Sequence, residues 1–494
     1  MERVEILSGA ASGLYGSEAV GGVINLVSAQ QPEHRLETGL GSWGHRFLQA
    51  ETGGAWEDGS VRAAVRRATA DNAYPFAYRK LVSPRDNAQF DGLDLAIGAR
   101  QRWGGDSLDF NLSYLAHDKG IPGPVNYPSP KAAQHDRDLT GALAWTRDWE
   151  EGPRQRTALS HRTNSLRVVD PQARVSPDST TQVETTDLQT QLTWQGDANG
   201  LTWGLGAAQD TVDGPNFGRK ARTSLTTFVH DTWYVSDRLT WHGDLRLDHQ
   251  STFGLNASPR MGLTYALSPA WRLRGSVGQA FRAPTFNDLY WPESAQAAGN
   301  PTLRPEVTRT YEVGADAQLG KMLTLMATAF LNQGADTIMW LPDAGNKWTP
   351  TNIGQTETRG VEAKALFRPW EPLTLEGSGT WLGALDKGTS GASAGKTLLY
   401  RPELVAHVGA SVQPISPLKV SVGWDYTGLR FTTAANTEYL DPFALFSARL
   451  AYALTERDTL VLRGENLTND TQYVLQPYYP MPGMTLTASW AHVF

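Results

Sequence analysis

The stretch RLTWHGDLRLDH (238–249) alternates between apolar and polar side chains. Apolar residues occupy the odd positions from Leu239 to Leu247, apart from Gly243, and polar or charged residues occupy the even positions. A period of two places these two sets on opposite faces of a β-strand. The segment SVRAAVRR (60–67) has the same pattern, with Arg62 and Arg66 facing away from its valines. Because a packed core does not accept one charged face on strand after strand, the pattern predicts strands whose polar face lines a wet lumen.

The composition excludes several classes of protein. The 494-residue chain has no cysteine, so it holds no disulfide and no thiolate metal site. Its net charge of −7 argues against a nucleic-acid partner, which requires a basic surface. The mean hydropathy of −0.39 resembles that of a soluble protein. A membrane barrel gives the same average, because its strands alternate.

Short and long connections alternate along the chain. The short turns recur after roughly one hairpin and one long loop, and they lie at WEDGS (56–60), WGGDS (103–107), WEEGP (149–153), GDANG (196–200), VSDR (235–238), LSPA (267–270), QLGK (318–321), RPWEP (368–372), ISPL (415–418) and LTERD (454–458). The longer polar segments lie at about 70–90, 117–137, 167–182, 209–222, 281–304, 386–396 and 473–481. Short turns on one side and long loops on the other are typical of an outer-membrane barrel.

Tryptophans accompany the short turns, at Trp56, Trp103, Trp149, Trp271 and Trp370. Aromatic rings of this kind are favoured at a lipid–water boundary. The predicted fold is therefore all-β: a transmembrane antiparallel β-barrel of about 22 strands, each long enough to cross a bilayer. A soluble propeller is the alternative, but its blades should repeat a motif, and we find none.

The C-terminal stretch MTLTASWAHVF (484–494) alternates up to a terminal phenylalanine. It resembles the C-terminal signal of bacterial outer-membrane proteins, which the barrel assembly machinery reads. His492 departs from that signal, because an aromatic or apolar residue is usual at its position.

The opening phrase ERVEILSGAASGLYGSEAVGGVINLVS (2–28) resembles the end of the plug domain in TonB-dependent outer-membrane receptors. The residues that carry this resemblance include Tyr15, Gly16, Gly21, Gly22 and Asn25. Further segments also resemble this family, and they are 278–292, 299–314, 352–363 and 463–473. Within the family, the loop arrangement and the YYPMPGMTLTASW ending look most like the cobalamin (vitamin B12) receptors.

The resemblance implies two parts, a C-terminal plug remnant at residues 1–34 and the barrel at residues 35–494. It implies an outer-membrane location, contact with outer-membrane lipid, and uptake of a scarce large nutrient driven by the TonB–ExbB–ExbD complex. We expect the chain to lack most of the plug and the segment that TonB contacts. Met1 is then expected to be an internal methionine or the start of a clipped gene.

Aromatic residues in the predicted loops are candidates for contact with a bulky ligand, because rings offer large contact area at low entropic cost. These candidates are Tyr74, Tyr127, Tyr290, Trp291, Trp340, Tyr478 and Tyr479. The alternative for each is a place in the outer aromatic girdle.

The segment AQHDRDLTG (133–141) contains the nearest approach to a cation site, with Asp136 and Asp138 beside His135. Some cobalamin receptors order their loops with calcium on aspartates in this region. Calcium requires six or more oxygen ligands, and the segment has no dense aspartate cluster. The sequence favours solvated loop charge over a structural calcium and predicts no other cofactor.

No catalytic motif stands in a suitable context, so the sequence predicts that the chain is not an enzyme. GASAG (391–395) fits the nucleophile pattern around Ser393, but it lies in a loop and not between a strand and a helix. Two alternative functions stay open, a receptor for a siderophore or other iron chelate and a passive porin. The plug phrase argues against the porin.

Overall fold

The computed structural model describes residues 3–9, 12–17, 19–27, 33–78, 81–150, 152–172, 178–215, 218–342, 347–388 and 393–494. Met1 lies outside these ranges. The side chain of Tyr15 is also outside the description.

Nearly all of the described regular structure is β-strand. In chain order the elements are β1 (Arg3–Ser8), α1 (Ser12–Tyr15), β2 (Gly22–Val27), β3 (Arg35–Gly41), a 3₁₀ turn (Ser42–Gly44), β4 (Arg46–Trp56), β5 (Gly59–Ala70), β6 (Pro75–Tyr78), β7 (Leu81–Pro84), β8 (Phe90–Trp103), β9 (Asp106–Gly120), β10 (Ala133–Asp148), β11 (Arg154–Val169), β12 (Asp178–Gln195), β13 (Asn199–Gly214), β14 (Gly218–Ser236), β15 (Leu239–Gln250), β16 (Gly254–Ala266), β17 (Trp271–Arg282), α2 (Phe286–Tyr290), β18 (Glu306–Leu319), β19 (Leu323–Pro342), β20 (Trp348–Trp370), β21 (Leu373–Asp386), β22 (Leu404–Ile415), β23 (Leu418–Thr427), β24 (Arg430–Phe431), β25 (Tyr439–Leu440), β26 (Phe443–Ala453), β27 (Asp458–Glu465), β28 (Val474–Gln476), β29 (Tyr479–Pro480) and β30 (Thr485–Val493). The two helices have four and five residues, so neither reaches the length of a membrane span.

Twenty-two of these strands form one closed antiparallel barrel. Each barrel strand pairs with the next along the chain, and β30 pairs with β3 to close the ring. The closing register runs from Arg35 opposite Val493 to Gly41 opposite Thr487. The structure confirms the predicted fold and strand number, and it excludes the propeller alternative.

The two faces of β15 follow the alternation of the sequence. Leu245 points outward and is 41% exposed, whereas Asp244 points into the lumen and is 8% exposed. The neighbouring residues continue this division, since Arg246 and Asp248 form an ion pair inside the barrel. The apolar belt therefore lies outside, where lipid solvates it, and the charges lie inside.

The short turns lie at the end of the barrel where β3 begins and β30 ends. The five predicted boundary tryptophans lie at this end and are exposed, and they are Trp56, Trp103, Trp149, Trp271 and Trp370. The long connections lie at the opposite end, which we call the loop end.

Two connections at the loop end differ from the prediction. The polar segment 209–222 is not a long loop, because β13 and β14 run through it and meet across Gly214 and Gly218. Beyond the bilayer both faces of a strand meet water, so polar residues can continue a strand there as well as form a loop. The segment 428–442, which the turn pattern does not single out, is a long loop that contains β24 and β25.

The N-terminal segment packs inside the barrel. Its strands β1 and β2 form a hairpin with Arg3 opposite Val27, and Asn25 Nδ2 donates to Glu5 Oε2 at 2.8 Å. The short helix α1 contacts the wall formed by β14, β15, β16 and β17. The division of the chain at residue 34 stays a prediction.

Glycines permit this close packing against the wall. Gly9 and Gly16 both have a φ of +79°, in the left-handed region that favours glycine. A Cβ at Gly16 would lie 2.9 Å from Arg246 Nη2, and one at Gly9 would overlap Glu312. Gly9 and Gly16 are therefore required by both the backbone and the neighbouring side chains.

Lipid-facing positions should reject charge according to their depth. Leu245→Arg, in the middle of β15, is expected to destabilise the barrel by about 2–4 kcal/mol. The matched control is Leu255→Arg at the loop end of β16, where we expect roughly 0–1 kcal/mol. Urea unfolding of each variant in lipid vesicles measures the change in the free energy of unfolding. Equal changes for the two variants would contradict the assignment of Leu245 to the lipid-facing belt.

Gly16 and Gly21 form a matched pair in the opening phrase. Gly16→Ala should destabilise the docked segment by about 1–3 kcal/mol, because alanine is strained at this φ. A Cβ at Gly21 meets no atom within 4 Å, so Gly21→Ala should leave the segment in place. Hydrogen exchange over residues 12–17 reads out the difference, and identical exchange in both variants would refute this account.

Candidate ligand-binding site

Three of the seven predicted aromatics lie on neighbouring surface loops at the loop end. Tyr127 lies in the connection between β9 and β10, and Tyr478 and Tyr479 lie at the tip of the β28–β29 hairpin. Tyr127 is 78% exposed and Tyr478 is 51% exposed. The backbone N–H of Val125 donates to the carbonyl of Tyr478 at 2.9 Å, which joins the two loops. We call Tyr127, Tyr478 and Tyr479 the tyrosine platform.

Asn87 fixes the loop that carries Tyr127. Its Nδ2 group donates to the carbonyls of Ser129 and Ala132, each at 2.7 Å. Arg85 reaches the same loop by donating from Nη2 to the carbonyl of Gly123. These bonds run from the β5–β8 connection to the β9–β10 connection, so the two loops are held as one unit.

Tyr74 lies beneath the platform and is partly buried. Its hydroxyl donates to the carbonyl of Pro480 at 2.7 Å, and its ring meets Trp43 edge-on with centroids 6.4 Å apart. Burial raises the pKa of Tyr74 above its ordinary value, so the phenol keeps the proton that it donates. Burial also raises the pKa of Tyr473, which lies near Tyr74. Tyr74 therefore supports the platform from below.

The other three predicted aromatics form a separate group around α2. Trp340 Nε1 donates to Asp288 Oδ1 at 3.0 Å, and the rings of Trp291 and Trp340 meet nearly at right angles, 6.3 Å apart. Lys220 Nζ lies 5.2 Å above the ring of Tyr290. In the strand order, these connections lie across the barrel from those that carry the tyrosine platform. Tyr290 and Trp340 are already engaged in contacts within the chain.

α2 is held by its own cap. The hydroxyl of Thr285 accepts from the backbone N–H of Asp288, and the carboxylate of Asp288 accepts from the backbone N–H of Thr285, which forms a capping box. Asp288 is buried and also accepts from Trp340, so one carboxylate fixes both the helix and the ring. This group therefore orders the connection after β17.

Asp136 and Asp138, the predicted calcium ligands, have other partners. Lys119 Nζ donates to Asp136 at 2.6 Å, and Arg162 Nε donates to Asp138 at 2.7 Å. His135 lies on the opposite face of the strand and contacts Asp118. Within the described ranges, no three acidic or histidine side chains are arranged to hold a metal ion. The calcium site stays a prediction that these contacts do not favour.

Four further residues in and beneath this surface are not predicted by the sequence pattern. Tyr439 and Leu475 are exposed on the loops next to the platform, and Arg85 and Arg430 are buried under it. A long loop at 428–442 was the available signal, because its GLRFTTAANTEYLDP composition is polar and contains proline.

A cavity of about 680 Å³ lies deeper in the lumen, between the N-terminal hairpin and the wall. Its lining carries both signs of charge, with Arg274 and Lys364 opposed by Glu312 and Glu362. Polar groups of this kind keep the interior hydrated. The lumen is therefore a wet passage and not an apolar core.

The supporting role of Tyr74 should depend on pH. A phenol whose pKa is raised by folding contributes stability that is complete below its unfolded pKa of about 10 and is lost as the pH rises through the folded value. We expect hydrogen exchange in 474–480 to stay slow at neutral pH and to accelerate in that alkaline range. Tyr74→Phe should speed exchange already at neutral pH, by the loss of about 0.5–1.5 kcal/mol. Tyr127→Phe is the exposed control, and equal effects of both variants would contradict this assignment.

Comparison with known protein families gives one match over most of the chain. A family model described as the TonB dependent receptor-like β-barrel matches residues 31–467. The match begins just before the first barrel strand and ends within the last long connection.

Two relatives span nearly the whole chain. The vitamin B12 transporter BtuB of Photobacterium profundum is 28% identical over 511 residues, covering 100% of this chain and 80% of the relative. The iron-regulated outer membrane virulence protein of Vibrio cholerae serotype O1 is 25% identical over 517 residues, covering 94% of this chain and 76% of the relative.

A solved structure has the same fold. The siderophore receptor PirA from Acinetobacter baumannii superimposes with a TM-score of 0.84, covering 99% of this chain and 85% of that chain. At 15% sequence identity, this similarity concerns the fold alone.

Proposed function

We propose that this chain, which belongs to the TonB-dependent receptor family of the outer membrane, takes up cobalamin or a related corrinoid. Members of the family are receptors and transporters for small-molecule ligands, and transport is TonB-dependent. The observation that carries the proposal is the tyrosine platform, which presents exposed aromatic rings on loops that are already joined. Flat rings on fixed loops suit a ligand with a large apolar surface.

The charge balance of the platform supports a ligand that is not a polyanion. The segments 71–89, 121–132, 428–442 and 466–484 together carry five Lys and Arg residues and five Asp and Glu residues. A receptor for a highly charged ferric chelate is expected to present an excess of positive charge, which attracts such a ligand. The BtuB relative adds support, because its name specifies vitamin B12 and its match covers all of this chain.

We further propose that the TonB–ExbB–ExbD complex supplies the energy for uptake and that the barrel assembly machinery inserts the chain. The last strand supports the second of these partners. In β30, His492 stacks on Trp490 and meets the ring of Phe494, while Asp458 accepts from its Nδ1 at 2.8 Å. His492 therefore takes the place of an aromatic residue in the C-terminal signal.

Direct binding separates cobalamin from an iron chelate. Purified protein should bind cyanocobalamin, with an association rate that changes little between low and high salt, and should not bind a ferric catecholate. Tyr127→Ala and Tyr479→Ala should each raise the dissociation constant about tenfold to a hundredfold, as loss of a large aromatic contact does.

Trp370→Ala, at the opposite end of the barrel, is the control and should bind like the parent chain. Binding of the ferric catecholate alone, with a steep salt dependence, would overturn the cobalamin assignment in favour of an iron-chelate receptor.

A further inference from the structure

Two arginines under the tyrosine platform are buried without an acidic partner. Arg85 and Arg430 are each 5% exposed. Among the described residues, neither forms an ion pair with a carboxylate, unlike Arg222 on the inner wall, which pairs with Asp210 at 2.8 Å. A buried cation normally requires a paired acid, because leaving water is costly. Contacts with groups other than carboxylates must therefore offset the cost of burying these two side chains.

Those contacts include backbone carbonyls on neighbouring loops, and Arg85 also has a side-chain hydrogen bond with Tyr74. Arg430 Nη2 donates to the carbonyls of Val474 at 3.1 Å and Asp441 at 3.3 Å. Arg85 donates to the carbonyl of Gly123. A carboxylate partner would hold only a side chain, whereas a carbonyl partner holds the main chain of the loop itself.

Aromatic rings complete both environments. The guanidinium of Arg430 lies 5.1 Å from the centroid of Phe443, and Phe443 packs against Tyr473 at 5.0 Å. The guanidinium of Arg85 lies 5.8 Å from the centroid of Phe76. Each cation thus lies over a ring and donates to a loop carbonyl.

We propose that Arg85 and Arg430 are positioning residues for the tyrosine platform and do not contact the ligand. Arg85 fixes the loop that carries Tyr127, and Arg430 fixes the base of the hairpin that carries Tyr478 and Tyr479. The two loops meet at the bond between Val125 and Tyr478, so both arginines act on one surface. They preorganise the surface and thereby lower the entropic cost of binding. The effect on affinity depends on the proposed function, whereas the effect on the loops does not.

The shape of the guanidinium distinguishes arginine from lysine at position 430. Arg430 Nε has no hydrogen-bond partner among the described residues. Hydrogen bonds from Nη2 and the ring of Phe443 therefore position the guanidinium. A lysine would keep the positive charge and could still donate to the two loop carbonyls, but it lacks the planar guanidinium that lies over Phe443. Arg430→Lys should therefore retain part of the ordering, and Arg430→Met should lose it.

Hydrogen exchange tests the positioning role without any ligand. Arg430→Met should accelerate exchange in 428–442 and 474–480 about tenfold or more, with Arg430→Lys in between. The urea midpoint of the barrel should stay unchanged. Arg463→Met is the matched control, because Arg463 is an exposed arginine that pairs with Glu465 near the same loop. Unchanged loop exchange in Arg430→Met, or a fall in the barrel midpoint, would overturn the proposal.

Cyanocobalamin binding provides the second readout. Arg430→Met should raise the dissociation rate about tenfold with little change in the association rate. A disulfide between one cysteine in β25 and one in β28, in a chain without native cysteine, should restore slow dissociation in the Arg430→Met background. Failure of this rescue with loop exchange restored would show that Arg430 contacts the ligand. If the parent chain does not bind cyanocobalamin, the proposed function fails, and loop exchange still decides the role of Arg430.

Discussion

Backbone hydrogen bonding is the constraint on which this structure depends. In hydrocarbon no water is present to bond an exposed N–H or C=O group, so every strand in the bilayer must have two neighbours. The pairing of β30 with β3 meets this requirement for the last open edges. Closure gives every backbone N–H and C=O group in the bilayer a hydrogen-bond partner. Alternate side chains along each strand can then face the lipid, where they are apolar, or the lumen, where they are polar. The alternation in 238–249 is a consequence of that closure.

Closure also determines where binding surfaces can form. The strands use their backbone groups on one another, so irregular backbone is confined to the two ends of the barrel. At the loop end, segments from distant parts of the sequence meet. Asn87, Arg85 and Arg430 join them through hydrogen bonds to main-chain carbonyls. The platform is ordered because its loops hold one another.

The sequence predicts the features that depend on local pattern. It does not predict the features that depend on contacts between residues far apart in the chain. The barrel, its strand number and the tryptophans of the short turns follow from the period of two and from turn composition. Tyr127 and Tyr290 look alike in the sequence, because each is a tyrosine in a polar loop. They differ in the structure because Lys220, far before Tyr290 in the chain, covers that ring. Arg430 was missed for a similar reason, since nothing near it in the sequence marks Val474 as its partner.

The seam between β3 and β30 has a consequence for assembly. The strands at this seam lie at the two ends of the barrel sequence, so the contact that closes the ring joins residues that are far apart in the chain. Every shorter intermediate exposes the edge of β3, which is a template for pairing with another chain. The open edges of β3 and β30 must therefore be shielded from other chains until these two strands pair with each other.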